Sequence, residues 1–350
     1  MHIIGSVSFV IAVTITACDK NGINPKSYGF LIPEHFPQPI FDTGNPSSRE
    51  GIELGRMLFY DNKLSANNKI SCASCHDPKL AFSDGLQFGS AGVSATPLLR
   101  HSPALFNLAW ANKGLFWDGG ATNLESQVFA PLTAHDEMAQ DLDQLIIELN
   151  SVARYVSGFQ EAFNQPVNIQ NVAKALAQFQ RSLVSANSKY DRYRLKTKGA
   201  SLTMEEIKGQ VLVKQKCQGC HVGELFTDFD FHNNGLDTDF SDAGHEGIYM
   251  GRFRITYDIN DLGKFKTPSL RNVALTSPYM HNARFSTLEE VVEHYSSGIK
   301  GSVTLDPLLP RNGFKLSAQE QKQIIAFLHT LTDHTFISDQ KHFLPPNFEQ

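Results

Sequence analysis

Apolar positions recur at helical spacing over several stretches of the chain, and most of these stretches follow a side chain able to cap a helix. Ser47-x-x-Glu50 forms a capping box ahead of Gly51-Ile52-Glu53-Leu54-Gly55-Arg56-Met57-Leu58-Phe59. Thr203-x-x-Glu206 opens a second helix that runs up to Cys217. Ser286-x-x-Glu289 opens a third over Leu288 to Tyr295, and Ser317-x-x-Glu320 a last one through Leu331. Between them, Val172, Leu176, Phe179 and Leu183 share one face of a helix over Val172 to Leu183. Strand-like alternation is rare, with Phe253-Arg254-Ile255-Thr256 the best instance. The pattern predicts a mainly α protein.

One apolar run has a different character. Residues 1–17 hold Ile3-Ile4-Gly5-Ser6-Val7-Ser8-Phe9-Val10-Ile11-Ala12-Val13, too short to span a bilayer comfortably, and read as a signal peptide. The run ends in Ile15-Thr16-Ala17-Cys18, small residues directly before a cysteine, which is similar to a bacterial lipobox with Cys18 lipidated after cleavage. Residues 19–46 then form a polar tether with Pro and Gly. The expectation is an exported, periplasmic, lipid-anchored protein that meets the membrane only through its anchor.

The chain has 350 residues, a prior for two domains. A polar, basic linker near Tyr193 to Ser201 divides it into 47–197 and 198–345. With 31 Lys and Arg against 36 Asp and Glu, the formal charge of −5 leaves no basic footprint for nucleic acid.

Cysteine changes the picture most. Four of the five cysteines fall in two pentapeptides, Cys72-Ala73-Ser74-Cys75-His76 and Cys217-Gln218-Gly219-Cys220-His221. Cys-x-x-Cys-His is the attachment signature of c-type haem: two thiols bond the porphyrin and the adjacent His becomes the proximal iron ligand. A four-thiolate zinc site and disulfides are the rival readings. Neither explains a His directly after both pairs. Haem attachment also requires export, in agreement with the leader. Each half repeats a capped helix, a Cys-x-x-Cys-His and a loop-rich stretch, so the expected fold is two fused cytochrome c-type domains, each with one covalent haem c.

With these motifs in view, residues 47–332 resemble the bacterial di-haem cytochrome c peroxidase and MauG family. The resemblance is carried by Leu54-Gly55-Arg56-x-Leu58-Phe59, Phe116-Trp117-Asp118-Gly119-Gly120, Pro131-x5-Glu137-Met138, Phe265-Lys266-Thr267-Pro268-Ser269-Leu270-Arg271-Asn272-Val273 and Pro278-Tyr279-Met280-His281-Asn282. It implies a peroxidatic haem in the N-terminal domain and an electron-transfer haem in the C-terminal one. It implies Glu137 as the acid/base, Gln127 as its polar distal partner and Trp117 as a relay between the haems. Family peroxidases that need reductive activation carry a His in the loop after the first haem motif. Phe82 to Arg100 contains none, so the chain looks like the MauG type, with an open peroxidatic iron. The resemblance places the sixth ligand of the second haem at Tyr295, on the apolar face set by Leu288, Val291 and Val292. Met280 and His294 are rivals, His294 being expected to point more towards solvent. The family also binds one calcium ion, through carbonyls at the positions of Thr276 and Pro278 and an Asn side chain, with water. Here His101 stands in the Asn position, and imidazole is a poor calcium ligand.

The first expected activity is reduction of H2O2 to water with electrons from a small c-type cytochrome or cupredoxin. The alternatives are a MauG-like enzyme oxidising a protein side chain through a ferryl state, and a non-enzymatic di-haem electron carrier. A carrier has no use for Glu137 and Gln127. Family members often form homodimers, and the same is an expectation here.

Overall fold

The computed structural model describes residues 30–39, 44–86, 91–241, 247–346 and 348. The leader, Cys18 and the start of the tether lie outside the described residues. Helices dominate: α1 (Arg49–Tyr60), α2 (Leu124–Gln127), α3 (Phe129–Thr133), α4 (Leu142–Asn150), α5 (Ala153–Phe163), α6 (Ile169–Ser182), α7 (Lys189–Arg194), α8 (Met204–Lys216), α9 (Phe253–Thr256), α10 (Leu288–Glu293) and α11 (Ala318–Thr330). Among the described residues, the only sheet is an antiparallel pair, β1 (Phe231–His232) and β2 (Phe265–Lys266).

Capping explains most helix starts. Thr203 with Glu206 and Ser317 with Glu320 form reciprocal boxes on α8 and α11, as the sequence predicts. Two starts differ by one residue. Ser48, not Ser47, caps α1 by accepting from the Gly51 amide at 3.0 Å. The Ser48 amide donates to the side chain of Gln178 on α6 at 2.9 Å, so a distant residue takes the part expected of Glu50. At α10 the box is Thr287 with Glu290, whose carboxylate accepts from the amides of both Ser286 and Thr287. Phe253–Thr256 is a turn of helix rather than a strand; its Tyr257 amide closes on the Phe253 carbonyl at 2.8 Å. Four residues of alternating character fit one helical turn equally well.

Two apolar cores form. One gathers Leu54, Leu58, Phe59, Phe82, Tyr155, Phe159, Leu176 and Phe179. The other gathers Tyr190, Val213, Phe226, Leu288, Val292, Ile324, Phe327 and Leu331. The two are built alike. In the first, α1 crosses α6 at Gly55, where a Cβ would overlap the Ala175 carbonyl and crowd Phe179. In the second, α8 crosses α11 at Gly209, where a Cβ would overlap the Gln323 carbonyl and crowd Phe327. Each crossing brings two backbones too close for any side chain but hydrogen. Gly55→Ala must push the helices apart, and a loss of at least about 2 kcal/mol in denaturant unfolding is expected.

Contacts cross the sequence division near 197, for α7 packs through Tyr190 in the second core. Arg271, fully buried, donates from both terminal nitrogens to the two oxygens of Asp191 on α7, each at 2.8 Å. After α11 the chain crosses back: Phe336 and Ile337 pack in the first core, and the Tyr60 hydroxyl donates to the His342 carbonyl at 2.7 Å. The tail that the sequence division counts within 198–345 thus lies against the first half.

Candidate functional site

The first Cys-x-x-Cys-His sits on a short 3-10 turn, Cys72–Ser74, boxed by Ser71 and Ser74. His76 donates from Nδ1 to the Phe82 carbonyl at 2.8 Å, which fixes the ring and leaves Nε2 for a metal. Beside it opens a cavity whose walls include Cys72, Cys75, His76, Phe59, Leu105, Leu132 and Leu176. Gln127 and Glu137 line the same cavity. Two thiols, one pre-oriented imidazole and apolar walls are the donor set and the surroundings of a covalent haem.

Each polar residue of this cavity is held by its backbone. Gln127 ends α2, and α2 is anchored to α6 by Glu125, which accepts from Arg181 at 2.6 and 2.7 Å. Glu137 follows α3 in a turn closed by its own amide on the Ala134 carbonyl at 3.0 Å. The Val93 amide donates to the Glu137 carbonyl at 2.6 Å, and a Cβ on Gly92 would overlap the carbonyls of Asp136 and Glu137. Gly92 is therefore a residue of the site that the sequence did not mark, because only the fold brings it against Glu137. Burial, helped by the charge of Asp136, pushes the Glu137 carboxyl up to about 7. A carboxyl poised there can both take and give a proton at neutral pH.

The second motif repeats the first. His221 donates from Nδ1 to the Phe226 carbonyl at 3.1 Å, and Cys217, Cys220 and His221 line a larger cavity. Tyr295 and Met280 line it too. The Asn234 amide group stands 3.4 Å from both the Tyr295 hydroxyl and the Met280 sulfur, so the two rivals converge on one spot. Tyr295 lies in a single π-turn, His294–Gly298, that continues α10. Such turns re-aim a side chain and cluster at functional sites. His294 is buried rather than turned to solvent. Its Nε2 pairs with the Asn234 carbonyl at 3.0 Å, and it is absent from the cavity wall.

Trp117 lines the second cavity and also a third, lying between the two halves. Gln127 lines both the first and the third. A continuous set of walls thus runs from Glu137 through Gln127 and Trp117 to Tyr295. Thr276, Pro278 and His101 also line the middle cavity. The His101 ring is engaged, with Nε2 3.0 Å from Asp84 and 3.1 Å from Ser83. His101 thus removes the one side-chain oxygen that the resemblance assigns to calcium, and its ring is already engaged by Asp84 and Ser83.

The rival readings of the cysteines lose their basis. The two pairs line separate cavities, and all four cysteines are free of disulfides. Among the described residues, the one cluster with metal-ligand spacing is Cys220, His232 and Asp306. Its sulfur belongs to the second attachment motif, and its imidazole is already held between Asp228 at 2.9 Å and Asp306 at 2.6 Å.

Comparison with known proteins agrees with this geometry. Residues 49–199 match the family model described as di-haem cytochrome c peroxidase. The methylamine utilization protein MauG of Methylorubrum extorquens is 37% identical over 306 residues, covering 86% of this chain and 83% of that protein. The cytochrome-c peroxidase IdrP1 of a Pseudomonas species is 34% identical, covering 93% and 92%. Among solved structures, a MauG-like protein associated with microbial copper homeostasis superposes with a TM-score of 0.81 at 34% identity, covering 90% of this chain and 98% of that one. The diheme peroxidase BthA of Burkholderia thailandensis shares the fold, with a TM-score of 0.71 at 22% identity, over 87% of this chain and 90% of that one. Such likeness along nearly the whole described chain, joined to two haem-attachment motifs each opening on its own cavity, makes this protein a member of the di-haem cytochrome c peroxidase and MauG family of oxidoreductases.

Proposed function

We propose that the protein reduces hydrogen peroxide to water, H2O2 + 2 e⁻ + 2 H⁺ → 2 H2O, with electrons from a small c-type cytochrome or cupredoxin. The observation that carries this reading is the sharing of one largely apolar cavity by His76, Gln127 and Glu137. When bound, the first haem supplies an iron with an open position and the electrons that break the O–O bond. Glu137 takes a proton from one peroxide oxygen and returns it to the other, so that water leaves. Gln127 orients the peroxide by hydrogen bonding. His76 and His221 would hold the two irons, and Cys72, Cys75, Cys217 and Cys220 would carry the thioether bonds. Tyr295, placed by its π-turn, would hold the second iron in preference to Met280. Trp117 relays electrons between the halves. Calcium has no part in this reading, since His101 stands where the resemblance needs an Asn oxygen. The apolar leader and Cys18 support an exported, periplasmic enzyme held by a lipid anchor.

The test is turnover with a reduced small cytochrome or cupredoxin. Two equivalents oxidised per peroxide support the proposal. Peroxide consumption without oxidation of any small donor would move the reading to side-chain oxidation on a partner protein. That second reading is favoured by Tyr295 and by the lack of a His in Phe82 to Arg100. As a check on the cofactors, Cys217→Ser with Cys220→Ser should leave one covalent haem per chain instead of two by haem-stained gel and pyridine haemochrome.

A further inference from the structure

A single buried residue joins the loop behind the first haem motif to the walls of the second cavity. His101 is 5% exposed. Its ring Nε2 meets Asp84 at 3.0 Å and Ser83 at 3.1 Å. Those two residues directly follow Phe82, whose carbonyl orients His76. The backbone of His101 faces the other way. Its carbonyl accepts the indole N–H of Trp117 at 2.8 Å, and its amide donates to the His281 carbonyl at 3.0 Å. His281 lines the second cavity and stacks on Phe265 with ring centroids 3.5 Å apart. The ring contacts fix where the peptide lies, and the peptide fixes the indole. Loss of the ring contacts would free the carbonyl that holds Trp117.

We propose that His101, clamped by Asp84 and Ser83, is a positioning residue that sets Trp117 between the two haem pockets, and that this tie needs no divalent cation. The Asp84 carboxylate is 1% exposed, so a charged partner or a strong hydrogen bond is required to keep it there. The imidazole supplies it from within the chain. A bound cation at this junction would do the same fastening, but the side chain that faces it here is an imidazole already held by Asp84 and Ser83, which offers a cation no oxygen.

This inference rests on Trp117 acting as the relay, and the experiment separates the two claims. Electron transfer between the haems of the holoenzyme is followed after pulse radiolysis, in wild type, Asp84→Asn, His101→Gln and Trp117→Phe. Each haem's midpoint potential is recorded alongside. The expected result is slowing of at least about tenfold in Asp84→Asn with both potentials unchanged. His101→Gln, whose amide N–H can still reach Asp84, should recover most of the rate. Extensive dialysis against EGTA should alter neither the wild-type rate nor its melting temperature. Wild-type rates in Asp84→Asn beside a slow Trp117→Phe would overturn the positioning role alone. A wild-type rate in Trp117→Phe would overturn the relay and this proposal with it. A rate or melting temperature lowered by EGTA and restored by calcium would overturn the cation-free tie. If Asp84→Asn does not yield folded protein, Ser83→Ala removes the lighter half of the clamp and carries the same expectation of slowing, with wild-type speed overturning the role.

Discussion

Glu137→Gln is expected to slow the reaction with peroxide by a factor of about 10² or more while haem content and fold stay intact. The side chain keeps its size and polarity and loses only the ability to carry a proton between two oxygens. Gln127 remains, so peroxide should still enter and the loss should fall on the rate rather than on binding. The pH dependence carries a second signature. Burial first, and then Asp136, raise the Glu137 carboxyl to about 7. The carboxylate is the form that accepts the first proton. The second-order rate should therefore rise about tenfold per pH unit below 7 and level off above it. In Glu137→Gln that limb should vanish. A variant that reacts at the wild-type rate, or that keeps the limb, would take Glu137 out of the chemistry.

Tyr295→Met is expected to raise the midpoint potential of the second haem by a few hundred millivolts, within the range of about 0.8 V over which axial ligands set haem potentials. A phenolate is a hard anionic donor and favours ferric iron, whereas a thioether favours ferrous iron. At 59 mV per decade for one electron, a shift on the order of 300 mV changes the driving force towards the first haem by about five decades. The second haem would then hold its electron instead of passing it on. Met280→Leu is the matched control, because the Asn234 amide group lies 3.4 Å from Met280 and Tyr295 alike. An unchanged potential in Tyr295→Met together with a large fall in Met280→Leu would exchange the roles of the two residues.

The parts legible in the sequence are those that covalent or local chemistry demands. Haem attachment needs two thiols and an imidazole within five residues, so both cavities could be located from Cys72 to His76 and Cys217 to His221. The boxes of Thr203 and Ser317 are local, and they form as read. The parts that were not legible depend on distant contacts. Ser48 takes the cap of α1 because Gln178, far along the chain, satisfies its amide. His294 was expected nearer solvent. It keeps regular helical geometry at the end of α10, and the Asn234 segment packs over it so that its ring pairs with the Asn234 carbonyl. The place of Gly92 against Glu137 and of His101 beside Trp117 follows from chain segments meeting, which periodicity does not encode. The return of Phe336 to the first core is of the same kind.

Peroxide reduction by this protein requires that the first cavity accept peroxide and that Glu137 carry its proton. Stopped-flow absorbance of the oxidised protein as purified, mixed with H2O2 and without reductant, tests it most directly. The expected result is a fast change of the Soret band in wild type, slowed about a hundredfold in Glu137→Gln. A Soret band that does not respond to peroxide before or after one-electron reduction would contradict it and leave an electron carrier.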